Sequence, residues 1–557
     1  MTSVMIADVT ITEKSFGPKQ LYKNLKFSIA DGEKIGVVGR NGVGKSTLLG
    51  ILAGTDTDFT GDIVFRRGIS IVSSRQEHHG HESTPVIEYI LADLPEYAQL
   101  HHIIETYPAI MGDNSRKISV YTDALERFSD LGYYHNQELI EEDLKNVQIP
   151  TERISGTIGE LSGGQKRLVE IVKIMHSHAH LALIDEPTNH MDYVAKQKFI
   201  DWMKSAQEAM LIITHDRDVL SQVNRIIEVK DGVADVYNGN YDQYLKQNAM
   251  STTGAMNEFE VVQRQISNLR DKVIQFRRLK ERARDPDTIK QFKRREMQAK
   301  EELAKLEAIP RPTFWIDKES SSNLGLKSGA QYEKFKAKNI RIHGAKAIDG
   351  NSRLLVDAQA LQLGYGDTPL FAPVSFQLRE GERIELRGRN GAGKTTLIRA
   401  VLDSIAHHKL GHDIKAFAGL IEVDHALQVG VYEQEVGREL FDKTLHDAIE
   451  YIYLSRKLSV NETKVRQLLS DYLFEPSDAQ VPVRLLSGGQ KSRLQLISML
   501  ANSPSLLVLD EPTNHLDLPS IEELETAVKN YKGAVIYVSH DTYFQQSIGG
   551  TVVEITR

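Results

Sequence analysis

Apolar residues along this chain fall into three patterns, and each predicts a different element. Alternation over residues 5–12 (MIADVTIT) and 354–363 (LLVDAQALQL) predicts half-buried strands. Unbroken apolar runs at 181–184 (LALI), 209–214 (AMLIIT), 506–509 (LLVL) and 534–539 (AVIYVS) predict buried strands. The third pattern steps by three and four. Phe259, Val262, Ile266, Leu269, Val273 and Phe276 form a heptad seam, and a second runs through Ile289, Phe292, Ala299, Leu303 and Leu306, interrupted by Glu296. Pro286 disfavours helix at Asp285. The two seams therefore predict antiparallel helices with a tip near 282–288. At about 1.5 Å per residue the first could reach roughly 40 Å. Nowhere do 18 consecutive residues stay apolar, so no membrane span is expected.

The strands belong to two copies of one unit. GRNGVGKST at 39–47 returns as GRNGAGKTT at 388–396, LSGGQK at 161–166 returns at 486–491, and DEPTNH at 185–190 returns at 510–515. THD at 214–216 returns as SHD at 539–541. Lys45 and Lys394 lie 349 residues apart, as do Phe16 and Tyr365. The pairs Ser162/Ser487, Glu186/Glu511 and His215/His540 are each 325 apart. With Gln76 and Gln434 as landmarks, the first copy holds 33 extra residues, placed within 85–157, a segment that reads as a helical arm. The expected organisation is an α/β unit at 1–245, a helical linker at 246–335 and a second α/β unit at 336–557.

The repeated glycine loop matches G-x-x-x-x-G-K-[ST], a turn that aims backbone N–H groups at phosphate from a helix N-terminus. Its members are Gly39, Asn41, Gly42, Gly44, Lys45, Ser46 and Thr47, and again Gly388, Asn390, Gly391, Gly393, Lys394, Thr395 and Thr396. The lysine would reach the β- and γ-phosphates of ATP, and Ser46 or Thr395 would bind Mg²⁺. Asp185 and Asp510 close apolar strands, where open α/β sheets bind ligands, and are assigned to Mg²⁺. Glu186 and Glu511 follow as candidate general bases for the attacking water; a solvated acid pair is the competing reading. His215 and His540 each lie 29 residues after their glutamate, a repeated spacing that favours a γ-phosphate contact over a structural histidine. Gln76 and Gln434 follow strands and are assigned to nucleotide and metal on position. Phe16 and Tyr365 share the offset of the loop lysines and are expected to stack on adenine, a core aromatic being the alternative.

LSGGQ resembles the signature of the ATP-binding cassette (ABC) ATPases. In that family two cassettes pair head to tail, and the signature of one closes on the nucleotide of the other. The resemblance implies one site from Lys45 with Ser487, Gly488, Gly489 and Gln490, and another from Lys394 with Ser162, Gly163, Gly164 and Gln165. It also implies that Asp192 and Asp517 meet across the interface. Two cassettes on one chain, EPTNHMD and EPTNHLD, and a charged helical linker resemble the ABC-F branch in particular. Met191 in place of the usual Leu and Phe16 in place of Tyr depart from its pattern. The resemblance implies a translation factor or antibiotic target-protection protein. Such a protein would bind the ribosomal exit site in the ATP state, with its linker pointing at the peptidyl-transferase centre. Ribosomal RNA, transfer RNA and large-subunit proteins are the implied partners, for a monomer whose cassettes pair within one chain.

Charge sharpens this picture at one place. The chain carries 76 acids against 68 bases, a net −8, yet residues 277–295 hold nine bases and three acids. Arg277, Arg278, Lys280, Arg282, Arg284, Lys290, Lys293, Arg294 and Arg295 are the candidate RNA contacts. A solvated charged helix face is the competing reading. With no cysteine, zinc–thiolate sites, disulfides and cysteine nucleophiles are excluded. A cytoplasmic protein is expected. An ATPase subunit serving separate membrane proteins, or a nucleotide-gated clamp on another target, are the alternative functions.

Overall fold

In this computed structural model the described residues are 4–556, apart from 17–18, 75–79, 95, 113, 190, 231, 283–284, 308–352, 406–413, 425–426, 433–435, 473, 475, 487 and 515. The central sheet of the first half orders its strands Ile71–Ser73, Leu181–Asp185, Ala209–Ile213, Lys34–Val38, Arg225–Lys230 and Val233–Asn238. All neighbours are parallel except the last pair. Every residue of Lys34–Val38, Leu181–Asp185 and Ala209–Ile213 is buried. That is why these strands read as continuous apolar runs: one face of the sheet packs on helices such as Gly163–His176, and the other on the helix Lys45–Leu52 and the antiparallel strands Met5–Phe16 and Lys19–Ala30. Leu211 is fully buried, and truncation to Ala there would cost about 2–5 kcal/mol.

The second half repeats the arrangement with five parallel strands, Val429–Tyr432, Leu506–Asp510, Ala534–Val538, Arg383–Arg387 and Thr551–Glu554. Each half adds an antiparallel sheet built on its alternating strand, Met5–Phe16 or Leu354–Tyr365. In Met5–Phe16 the residues Ile6, Val9 and Ile11 are buried while Met5 and Asp8 are exposed, the half-buried pattern its sequence predicts. The expected α/β class holds in both halves.

Within 85–157 the first half carries helices Tyr97–Ile110, Ser115–Asp130 and Asn136–Asn146. They are anchored by Leu100, Phe128 and Tyr133, which join the core that also holds the helix Gly163–His176. Tyr97, Phe128 and Tyr133 pack ring to ring, with centroids 5.3–5.6 Å apart.

Residues 242–339 form a separate unit. Its first helix, Tyr241–Arg282, has 42 residues, roughly 63 Å at the α-helical rise. It exceeds the length read from the seam because it begins well upstream of the first seam residue. Pro286 opens the second helix, Pro286–Glu307, where its missing N–H costs nothing. Asp285 caps that helix, accepting from the Thr288 N–H at 2.9 Å. Ile266, Leu269 and Ala299 are buried along the seam. The interrupting Glu296 is buried with them, bridged by Lys280 at 2.5 Å and Lys300 at 2.7 Å.

Candidate nucleotide sites at the paired cassettes

The loop after Lys34–Val38 turns into the helix Lys45–Leu52, and the loop after Arg383–Arg387 turns into Lys394–Ile405. Gly44 and Gly393 take φ of 104° and 100°. A Cβ at Gly44 would lie 2.8 Å from the Tyr22 hydroxyl, and one at Gly393 would lie 2.7 Å from the Phe371 ring. Both positions therefore demand glycine for conformation and for space. The lysine that follows is buried in each copy. Lys45 Nζ donates to the carbonyls of Gly39 at 2.7 Å and Arg40 at 3.2 Å. Lys394 makes the same bonds to Gly388 at 2.8 Å and Arg389 at 3.1 Å. Burial pushes both ammonium groups below the usual lysine range.

Asp185 and Asp510 stand at the C-terminal ends of their strands. Thr395 Oγ1 donates to Asp510 Oδ2 at 2.9 Å, and burial raises the Asp510 carboxyl. The next residues, Glu186 and Glu511, both sit at φ 47°, a left-handed backbone that non-glycine residues rarely adopt. Each is anchored by its own N–H, Glu186 to Ile213 O at 2.8 Å and Glu511 to Val538 O at 3.0 Å. The strained turn aims both carboxyls at a histidine. Glu186 Oε1 lies 3.5 Å from His215 Nε2, and Glu511 Oε1 lies 3.1 Å from His540 Nε2.

Burial pushes Glu186 up to about 8 and Glu511 up to about 7. Burial, and then the nearby Lys45 or Lys394, takes His215 and His540 down to about 3. The imidazoles are therefore neutral near pH 7, and the carboxyl carries the titrating proton of each pair. Both nitrogens of His215, His540 Nε2 and Glu511 Oε1 are buried with no hydrogen-bond partner among the described residues. Buried polar atoms left this way are costly unless a ligand satisfies them. Together with Lys394, Thr395, Asp510 and Glu511 they line a cavity of about 710 Å³ that also takes in Ser46, Asp185 and Glu186 of the first half. Hydroxyl and carboxylate oxygens are the hard donors Mg²⁺ prefers, and the buried lysines suit phosphate. The donor set fits both.

The halves meet through their acids. Asp192 caps the helix Tyr193–Ser205 with one oxygen and turns Oδ2 to the Asn390 N–H and Arg389 Nε of the opposite loop, both at 3.4 Å. Asp517 caps Leu518–Asn530 and accepts from the Asn41 N–H at 3.1 Å. The two acids, expected to meet each other, thus each spend an oxygen on the opposite glycine loop. Ser162 and Gln165 form a reciprocal capping box at 3.3 and 3.0 Å on the signature helix Gly163–His176. Ser162, Gly164 and Gln165 face Gly388, Asn390 and Gly391 across a cavity of about 1100 Å³. Gly488, Gly489 and Gln490 begin the helix Gly488–Leu500.

Tyr365 lines the first cavity, its hydroxyl 3.2 Å from Thr396 Oγ1. Phe16 ends its strand 77% exposed. Gln76, Gln434, Ser487 and Arg284 lie outside the described residues. Two residues of the site were not anticipated. Arg167 donates to the Asp185 carbonyl at 2.9 Å, and Lys196 of the first half reaches the His540 carbonyl of the second at 2.8 Å. Both stand where the two copies differ, so a search for repeated motifs passes over them.

This fold and site define an ATPase of the ATP-binding cassette class. A family profile described as an ABC transporter matches residues 22–189 and 371–514, and a second ABC transporter profile matches 227–321. The chain is 31% identical over 563 residues to the putative ATP-binding protein YdiF of Bacillus subtilis, covering 99% of this chain and 80% of that protein. It is 27% identical over 557 residues to ABC transporter F family member 2 of Arabidopsis thaliana, covering 97% and 75%. Among solved structures, the archaeal ribosome recycling factor aABCE1, in complex with the stalk protein aP1, matches with TM-score 0.55 at 17% identity, over 96% of this chain and 86% of that one. At that identity the likeness is one of fold. The chain belongs to the ABC family, in its F branch, and hydrolyses ATP.

Proposed function

We propose that this ABC-F ATPase binds the ribosome in the tRNA exit site when ATP closes its halves. Its hairpin then acts on the peptidyl-transferase region, as a translation factor or an antibiotic target-protection protein. On this reading residues 1–245 and 336–557 are the two cassettes, 246–335 the linker, and the protein works as a cytoplasmic monomer. The observation that carries it is the hairpin end. Arg277, Arg278, Arg282, Lys290, Lys293, Arg294 and Arg295 are exposed there, with Lys280 alone among the described candidates bridged to the buried Glu296. Exposed bases clustered at a helical tip suit RNA phosphate. The archaeal ribosome recycling factor aABCE1, which shares this fold and was solved with a ribosomal stalk protein, supports the same class of partner. No helix among the described residues is long and apolar enough to cross a membrane.

In each site the glycine loop and lysine would hold the triphosphate, and the opposite signature would close over it. Ser46 with Asp185, and Thr395 with Asp510, would hold Mg²⁺, which when bound neutralises charge on the phosphate oxygens. Glu186 and Glu511 would take the proton of the attacking water, and the neutral His215 and His540 would donate to the transferred phosphate. Because each site draws on both halves, cleavage lets them part.

The double variant Glu186→Gln/Glu511→Gln should keep ATP bound and sediment with ribosomes only when ATP is present. Sedimentation indifferent to ATP, or with membranes instead, sinks the reading. Arg282→Glu/Arg294→Glu/Arg295→Glu should weaken that association and flatten its salt dependence, the slope falling by about 0.9 for each phosphate the hairpin no longer neutralises.

A further inference from the structure

The two nucleotide sites are not built alike, and Lys196 stands at one of the differences. The copies align at an offset of 325 through Glu186/Glu511 and His215/His540, so Lys196 corresponds to Ile521. Lys196 is 5% exposed. Its three N–H donors are all engaged: Asp218 Oδ2 at 2.6 Å, Asp216 Oδ2 at 3.3 Å, and the backbone carbonyl of His540 at 2.8 Å. The first two partners belong to its own half and the third to the opposite half. Asp218 is itself tied across the seam, accepting from Thr542 Oγ1 at 2.6 Å. At the corresponding position Ile521, 2% exposed, has no donor to offer. Asp218 and Thr542 are likewise matched by Tyr543 and Arg217, so the same bridge is not repeated; the other seam carries a different pair, Arg217 of the first half with Glu525 of the second at 3.1 Å.

The consequence reaches the chemistry. The bridge holds the backbone of His540, whose N–H lies 3.3 Å from Glu511 Oε2 and whose ring lies 3.1 Å from Glu511, against 3.5 Å for the other pair. The site built on Lys45 has a cation of its own beside Glu186, Arg167, but that one comes from the same half. Burial opposes the charge on Lys196, yet Asp216 and Asp218 outweigh it and keep the ammonium protonated. A charged group locked between two acids has one fixed direction left for its third proton, toward the other half.

We propose that Lys196 is a positioning residue for the Lys394 site alone, aligning His540 against Glu511 only when the halves are together, so that the two sites fire at unequal rates. This rests on the reading of Glu186 and Glu511 as the residues that activate water.

The test uses the full-length chain and single-turnover phosphate release, in Glu186→Gln (Lys394 site active) and Glu511→Gln (Lys45 site active) backgrounds. Lys196→Met should slow Glu186→Gln by about tenfold, in its rate constant and not in its ATP affinity, and change Glu511→Gln by less than about twofold. Lys196→Met/Asp218→Asn removes one of the two acid charges left unpaired, tests a second fold-stable route should Lys196→Met not fold, and should show the same one-sided loss. Equal losses in the two backgrounds, no loss in either, or complete loss of turnover in either single-glutamate background each overturn the proposal. Turnover surviving in Glu186→Gln/Glu511→Gln would instead sink the reading of the glutamates.

Discussion

Asp517 of the second half accepts the backbone N–H of Asn41 in the first at 3.1 Å, and Asp192 does the same for Asn390 in the other direction at 3.4 Å. Each acid also caps the helix that follows it. One carboxylate therefore fixes both a helix start in its own half and a phosphate loop in the other. Burial opposes ionisation at both, but the Ala195 and Asn390 N–H groups at Asp192, and the Ser520 hydroxyl with the Asn41 N–H at Asp517, outweigh it and hold the two acids below the usual carboxylate range. Approach of the halves and the shape of the glycine loop are thus one event.

Asp517→Asn separates these roles. The Asn oxygen can still cap Leu518–Asn530, but the remaining amide group is a donor and faces the Asn41 N–H. We expect melting within about 2 °C of wild type, since the cap survives, and ATP turnover lowered about tenfold. Asp517→Ala should lose both. Phosphate release beside a thermal melt checks this, and unchanged turnover in Asp517→Asn refutes it.

The pH profile should follow the glutamates. A general base works when deprotonated, and burial raises Glu186 to about 8 and Glu511 to about 7. kcat/KM for ATP, which reports the free enzyme, should therefore climb from pH 6 to pH 8.5. The Glu186→Gln enzyme, left with the lower of the two groups, should reach its plateau at lower pH than Glu511→Gln. A profile flat across this window contradicts the assignment.

The same shifts carry a stability consequence of definite sign. Both carboxyls have folded values above their ordinary 4.5. Their contribution is fully present below 4.5 and is lost as pH rises through about 7 to 8. Gln needs no ionisation. Glu186→Gln/Glu511→Gln should therefore melt at least about 2 °C above wild type at pH 8.5, with the gain vanishing near pH 5. A melt difference independent of pH would show the carboxyls to be unstrained by burial.

The duplication, the sheets and the glycine loops were legible because each rests on local rules. A buried parallel strand must be apolar throughout, and a loop that cradles phosphate must have glycine at Gly44 and Gly393. The strained backbone at Glu186 and Glu511 was not legible, because only the surrounding sheet and the opposing histidine impose it. Nor were the partners of Asp192 and Asp517, which lie on the far half of the chain. Lys196 escaped for a different reason: repetition finds what the copies share, and its role exists because Ile521 does not share it. In the hairpin, Glu296 read as a break in the seam, since Lys280 faces it only once the turn at Asp285 sets the register.

Glu296 is buried on the hairpin, as Ile266, Leu269 and Ala299 are, and is held by Lys280 and Lys300, which are 30% and 58% exposed. Hydrogen bonds from the two lysines take its carboxyl down to about 2. The stability it gives is present above 4.5 and lost as pH falls toward 2. Removing the acid strands no buried charge, because both lysines can turn to water. Glu296→Leu should then fill the seam and leave amide-exchange protection of peptides within 262–307 equal to wild type or greater, as replacing buried ion pairs by well-packed apolar groups often does. Glu296→Ala removes the bridge without filling the space and should lower protection in those peptides. Exchange mass spectrometry near pH 7 reads both. Weaker protection in Glu296→Leu than in Glu296→Ala would mean that the bridge, not the volume it occupies, holds the two helices in register.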